Sequence, residues 1–243
     1  MTALAGAAAW PARVATKAGM YFPTLRSGAK LPRAGSRCAR LVKRRPFEPR
    51  PDNAIANHTI PNTAVRWART PGQLHWRRWI AHRRHVNGRY LGTTDEIIRW
   101  SACKWGVDKN IIRAVAVSES GWHQSMVGDG GGSFGLLQVK DHYSDGTLDF
   151  GGWPWTQRST ALNADFYAAW IRSCLDNDFY DGGGWLYGGK SVKQLIAAHG
   201  FDYVLWGCVG AWYSGDWYSS DAVGYLAEVE HNLASKAWLH LSP

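Results

Sequence analysis

Glu119 is the side chain in this sequence best placed to do chemistry. It follows Ile112, Val115 and Ala116 at i+7, i+4 and i+3, so it falls on the apolar face of a predicted helix. Carboxylates are rarely put there. Gly121 ends that helix two residues later, so Glu119 also sits in the last turn, where the helix dipole opposes negative charge. Burial and dipole act together to raise its pKa, which suits a general acid working near neutrality. The same pattern also fits a buried Glu held by a cation, Arg113 or Lys140.

The run Gly128-Asp129-Gly130-Gly131-Gly132 comes next and cannot be helical. Such a loop lets backbone come close to a polymeric ligand. Trp122, Trp153, Trp155, Trp185, Trp212, Tyr213 and Trp217 offer rings that could stack on sugars, although about half are expected in the core. Asp129 before glycine is also an ordinary turn former.

The elements that must position these residues are mostly helices. Thr93-Thr94-Asp95-Glu96 is a capping box opening a helix through Ile97, Ile98 and Ala102 that stops near Gly106. Asp108 caps the helix that carries Glu119. Phe134 to Val139 is short and apolar, compatible with a small strand or hairpin arm. Helices resume at Ser159/Thr160, with Leu162, Phe166, Ala169, Trp170 and Cys174 as a buried stripe. Ser191 to Gln194 forms a second capping box, Gly200 a stop, Asp202 a further start, and Ser219/Ser220 the last cap. About six short helices around one small β-element predict an α+β domain.

With these residues in place, the chain resembles the soluble lytic transglycosylase and goose-type lysozyme superfamily. The resemblance rests on Glu119-Ser120 and, after a gap, Gly128-Asp129-Gly130-Gly131-Gly132-Ser133-Phe134-Gly135-Leu136-Leu137-Gln138-Val139. The family pattern is Glu-Ser, then Gly-x-x-Gly-Leu-Met-Gln, and Leu137 stands where Met is usual. Asn163 with Tyr167 is similar to the family's Asn-containing helix. Ala211-Trp212-Tyr213-Ser214-Gly215, with Tyr225 and Val229 downstream, is similar to its terminal Ala-Tyr-Asn-Ala-Gly segment. The match covers about residues 93–238.

The resemblance implies a lysozyme-like α+β domain that cleaves the MurNAc–GlcNAc β-1,4 linkage of peptidoglycan, with Glu119 as the acid. Lytic transglycosylases need no second carboxylate, because the substrate's own C6 hydroxyl attacks and leaves a 1,6-anhydro end. Goose-type lysozymes use one or two aspartates to position water, an inverting arrangement. Asp129 matches one of these by motif. Lys140 stands where the other belongs and Asp141 comes one residue late, which on a strand reverses its side-chain direction. The expected product is therefore the anhydro end, with hydrolysis as the alternative and a non-catalytic glycan-binding relative as a further one. Ser120, Ser133, Phe134, Gln138, Asn163, Tyr213 and Tyr225 are the implied substrate-binding residues. Tyr213 replaces the family's Asn.

The 243 residues carry a net charge of +9 that averages two unlike regions. Residues 1–90 hold 18 basic and 2 acidic side chains, and residues 91–243 hold 10 and 17. The expectation is a largely disordered basic, Pro/Arg-rich arm or leader over 1–90, preceding a lysozyme-like domain over 91–243. The arm offers electrostatic attachment to a polyanion, such as an anionic wall polymer. No nucleic-acid partner is expected, because the arm lacks a reading fold. On this reading, deleting 1–90 would leave glycan cleavage intact.

No run of about 18 apolar residues is present, so no transmembrane helix is expected. Met1 to Trp10 is apolar and Ala-rich but lacks a cationic n-region, and no signal peptide is identifiable. The implied substrate still makes a secreted or envelope location the expectation. Cys38, Cys103, Cys174 and Cys208 lack metal-ligand spacing, so no metal and no cofactor are expected. Three disulfide connectivities are open, Cys174–Cys208 is favoured, and buried free thiols are the alternative.

Overall fold

Capping residues set the helix starts. In the computed structural model, which describes residues 24–32, 35–62, 65, 81–141, 152–178 and 188–242, Thr93 accepts from the Glu96 amide and Glu96 reaches back to the Thr93 amide. This box opens α3, Thr94–Trp105, which Gly106 closes in the left-handed conformation. Asp108 caps α4, Lys109–Ser120, and Gly121 ends it in the same way. Ser159, Ser191 and Ser219 cap α6 (Thr160–Asp176), α7 (Val192–His199) and α9 (Ser220–Ser235). α8, Phe201–Ser214, begins one residue before the expected Asp202. The four-residue α5, Trp155–Arg158, precedes α6.

The β-element is one antiparallel sheet of two-residue strands, β1 (Val127–Gly128), β2 (Ser133–Phe134) and β3 (Val139–Lys140), in that order. Val127 pairs with Phe134, and Phe134 with Val139. The molecule is therefore mostly helical with a small sheet, as the α+β expectation holds.

All twelve residues of α3 are buried, and α6 is nearly so. Their interface contains ions as well as hydrocarbon. The Lys104 ammonium, fully buried, lies 2.6 Å from the Asp165 carboxylate, which also accepts from the Trp105 indole and the Asn87 and Gly88 amides. With four donors on the Asp165 carboxylate and the His85 carbonyl accepting from Lys104, desolvation is offset by hydrogen bonds as well as by attraction.

The described part of residues 1–90 is not a free arm, and this corrects the expectation. α1, Gly35–Leu41, packs on α3, with Leu31, Cys38 and Val42 buried and the Trp100 indole donating to the Gly35 carbonyl. A disulfide joins Cys38 to Cys103, and a second joins Cys174 to Cys208 as favoured. Glu48 accepts from the Thr94 amide at the start of α3, where the helix dipole favours a carboxylate. Glu96 holds the Arg45 amide and the Arg44 guanidinium. The four-residue α2, Ala54–Asn57, contributes the buried Asn57. These pieces are too short to show a period, and their stability is tertiary. The expectation for residues 1–23, 33–34, 63–64 and 66–80 lies outside the described residues. Among the described residues, no helix is long and apolar enough to cross a membrane.

Candidate active site

α4 delivers Glu119 to the floor of a cleft of about 490 Å³. Its carboxyl is bonded by the Tyr225 hydroxyl from α9, 2.5 Å from Oε1. Neither cation considered from sequence reaches it. Arg113 forks onto Asp95, and Lys140 lies 2.7 Å from Asp129. Burial is the main cause that pushes the Glu119 pKa up to about 8, with the Asp129 and Glu228 charges adding and the Tyr225 hydrogen bond opposing. Glu119 is therefore a carboxylic acid at neutral pH.

The loop between β2 and β3 forms the facing wall, and side chains satisfy its backbone where no sheet ladder can. Leu136 N–H donates to Gln124 Oε1 and Leu137 N–H to Asn163 Oδ1. The Leu136 carbonyl accepts from Ser120, and the Leu137 carbonyl from the Trp212 indole. Gly135 is required here: its φ is +81°, and a Cβ would meet Gln124 at 2.4 Å, Asn163 at 2.5 Å and the Thr156 carbonyl at 2.9 Å. Gln138 has φ +46°, which folds its carboxamide over Gly128, where a Cβ would meet Oε1 at 2.3 Å. A non-glycine residue held in that region costs about 1–3 kcal/mol.

Asp129, also at positive φ (+50°), is exposed at the cleft edge. Its Oδ2 accepts from both Ser133 Oγ and Lys140 Nζ at 2.7 Å. Asp141 is mostly buried and accepts from the Trp153 amide. Tyr213 of α8 is 59% exposed in the cleft and stacks on Tyr225, centroids 4.8 Å apart and planes 5° from parallel. One ring face thus covers the Tyr225 ring while the residue remains open to the cleft. Asp221 adds a carboxylate to the lining.

The structure brings Glu119, Asp129, Ser133, Gln138 and Tyr213 to one cleft, with Tyr225 behind the acid. It does not bring Asn163, Ser120 or Phe134 to its surface. Asn163 is fully buried, and its amide donates to the Phe134 and Thr156 carbonyls while its oxygen accepts from Leu137. All three are buried, so their expected role as direct contacts becomes one of holding the loop. Of the ring candidates, Tyr213 and Trp212 reach the cleft, Trp122 is wholly core, Trp155 and Trp217 pack against the core, and Trp153 is half exposed. Trp185 lies outside the described residues.

Sequence reasoning missed a second layer. Asn53 donates to the Trp122 carbonyl and accepts from the Gln124 amide, and Gln124 in turn holds the loop through Leu136. Arg50 Nε donates to the Gly121 carbonyl at the end of α4. Arg50 and Asn53 lie 69 to 71 residues from these partners, and no local pattern marks them. Among the described residues, no group of three His, Cys, Asp or Glu side chains is arranged to hold a metal ion. No protein-family profile matches the chain, and no curated protein matches it.

Proposed function

We propose that this protein is a peptidoglycan-cleaving enzyme with a lysozyme-like domain, acting on the MurNAc–GlcNAc β-1,4 bond as a lytic transglycosylase. The observation that carries the reading is a protonated carboxyl, Glu119, on the floor of an open cleft, oriented by Tyr225 and faced by an exposed tyrosine ring. The resemblance of the Glu119-Ser120 and Gly128–Val139 segments supplies the substrate class.

Glu119 gives its proton to the glycosidic oxygen as the C1–O bond breaks, so the leaving sugar departs as a neutral alcohol. The carboxylate left behind takes the proton of the substrate's C6 hydroxyl, and that oxygen bonds to C1. The product is a 1,6-anhydro ring, the proton is back on Glu119, and no water is consumed. One carboxyl suffices for both steps. Asp129 supports this route over hydrolysis, because its Oδ2 is already engaged by Lys140 and Ser133 rather than left to orient a water. The Gln138 and Ser133 side chains are the polar wall available to the acetamido and hydroxyl groups of a sugar. Two disulfides with no free cysteine fit an oxidising compartment, in keeping with a secreted or envelope-associated protein. Cationic residues not engaged in the fold would hold anionic wall polymer.

Mass spectrometry of peptidoglycan digested by the purified protein tests this. Anhydro-muramyl ends are expected. Reducing ends would make the protein a goose-type lysozyme, and intact glycan would leave only a glycan-binding relative.

A further inference from the structure

One face of the N-terminal scaffold carries charge that the fold does not use. On α1, Arg37 and Arg40 are exposed while Cys38 is buried on the side of α3, as is Val42 just beyond the helix. Like charges at i and i+3 lie about 5–6 Å apart and weaken a helix, so the pair has no reason in stability. Lys43, Arg44 and Arg45 follow, all exposed. Arg44 Nη1 donates to the Leu91 carbonyl at 2.8 Å, which brings a second strip to this surface, where the exposed Arg89 and Leu91 alternate with the buried Tyr90. Leu41, one helical turn from Arg37, is 54% exposed, and Leu91 is 37% exposed. Two leucines thus stand open to solvent among six cations.

We propose that this face docks on an anionic lipid membrane, with the cations at the headgroup phosphates and Leu41 and Leu91 at the boundary with the acyl chains. The inference does not depend on the reading of the cleft, and it narrows the anionic partner of these cations to a lipid surface. Arginine is the side chain whose planar fork matches a phosphate through two parallel hydrogen bonds. A soluble phosphate polymer or a nucleic acid would use the cations and leave the leucines without a role, whereas a bilayer takes both. The surface is also held in place before it binds. The Cys38–Cys103 disulfide ties α1 to α3, and Arg44 is fixed by Glu96 at 2.8 Å, so little chain has to be ordered on contact.

The acids that border this face are turned away from it. Residues 35–47 and 87–93 contain none. Asp95 is buried under the Arg113 fork, Glu96 is buried against Arg44, and Glu48 is taken by the Thr94 amide and Asn57. The field over the patch is therefore positive, while residues 91–243, with 10 basic and 17 acidic side chains, are repelled by the same membrane. This opposition sets an orientation, scaffold toward the lipid.

The test is sedimentation of the full chain with vesicles of mixed phosphatidylglycerol and phosphatidylcholine, with phosphatidylcholine vesicles and soluble polyphosphate as the comparison probes. Binding to the mixed vesicles, weakened by salt, is expected, and none to phosphatidylcholine alone. Arg37→Ala paired with Arg40→Ala should weaken it about 25-fold, roughly fivefold per charge. Lys43→Ala paired with Arg45→Ala should do the same. These side chains make no hydrogen bond or ion pair within the described residues, so the second pair carries the test if the melting temperature shows the first to be unfolded. Leu41→Ser should lose severalfold on vesicles and leave polyphosphate binding unchanged. Equal binding to both kinds of vesicle, or none to either, would overturn the proposal. So would a Leu41→Ser variant with undiminished vesicle binding, which would make the face a site for a soluble polyanion, wall polymer or nucleic acid. Any muropeptide release from soluble glycan should be the same in all three variants, so failure of the cleft reading is seen separately.

Discussion

Glu119 holds its proton to about 8 mainly because it is buried, and this sets the direction of two pH effects. On the proposed function Glu119 works only when protonated, so muropeptide release is expected to be level through neutrality and to fall as pH rises through about 8. Stability runs the same way. The folded pKa lies above the ordinary glutamate value of 4.5, so this group's contribution is full below 4.5 and is lost as pH rises toward about 8. Glu119→Gln should therefore lose at least about 10³-fold in activity. It should also keep the fold and remove much of the alkaline loss of stability, read as melting temperature against pH in the two proteins. Tyr213 makes a separable contribution. On the proposed function, Tyr213→Ala should raise KM severalfold with a smaller change in kcat, because the exposed ring lines the cleft and offers a face to a sugar rather than a group to the reaction. Glu119 was legible from helical spacing, and Asp129 and Tyr225 from the resemblance. Which way a loop side chain faces was not legible. Ser120, Phe134 and Asn163 share motif positions with true cleft residues and turn inward.

Helices were the most legible elements, because caps are local: Thr93, Asp108, Ser159, Ser191 and Ser219 each carry their partner within three residues. The glycine-rich loop was legible as a non-helix, but its clamp was not, because Gln124 and Asn163 reach it from 12 and 26 residues away. Precision here depends on close approach. Gly135→Ala places a methyl against Gln124, Asn163 and the Thr156 carbonyl at a positive φ. It should cost about 3 kcal/mol or more in urea unfolding, by overpacking and backbone strain together. Activity should fall further than the stability loss alone implies, since the Gln138 side of the cleft shifts.

At the scale of the molecule, charge arithmetic divided the chain at residue 90, and packing does not. Arg44 serves Glu96, Arg50 serves Gly121, and Asn53 braces the segment that follows the acid, so part of the basic region is scaffold for the site. Deleting 1–90 would therefore remove core residues and a disulfide partner, and cleavage should not survive it. Composition could not reveal this, because short segments docked by side chains read like linker. The Cys38–Cys103 bridge closes a loop of separation 65, worth about 4 kcal/mol on the chain-entropy account. Cys38→Ser paired with Cys103→Ser should lower the melting temperature by roughly 10 °C in calorimetry, since each kcal/mol moves a chain of this size by about 2–4 °C.

The two bridges also have an order. The first cysteine pairs with the second and the third with the fourth, and the loops neither overlap nor nest. Oxidation that joins each cysteine to the next one along the chain thus produces only native bonds. Pairing in that order needs no reshuffling of mispaired thiols, and its first bond is the one that locks the N-terminal scaffold onto α3.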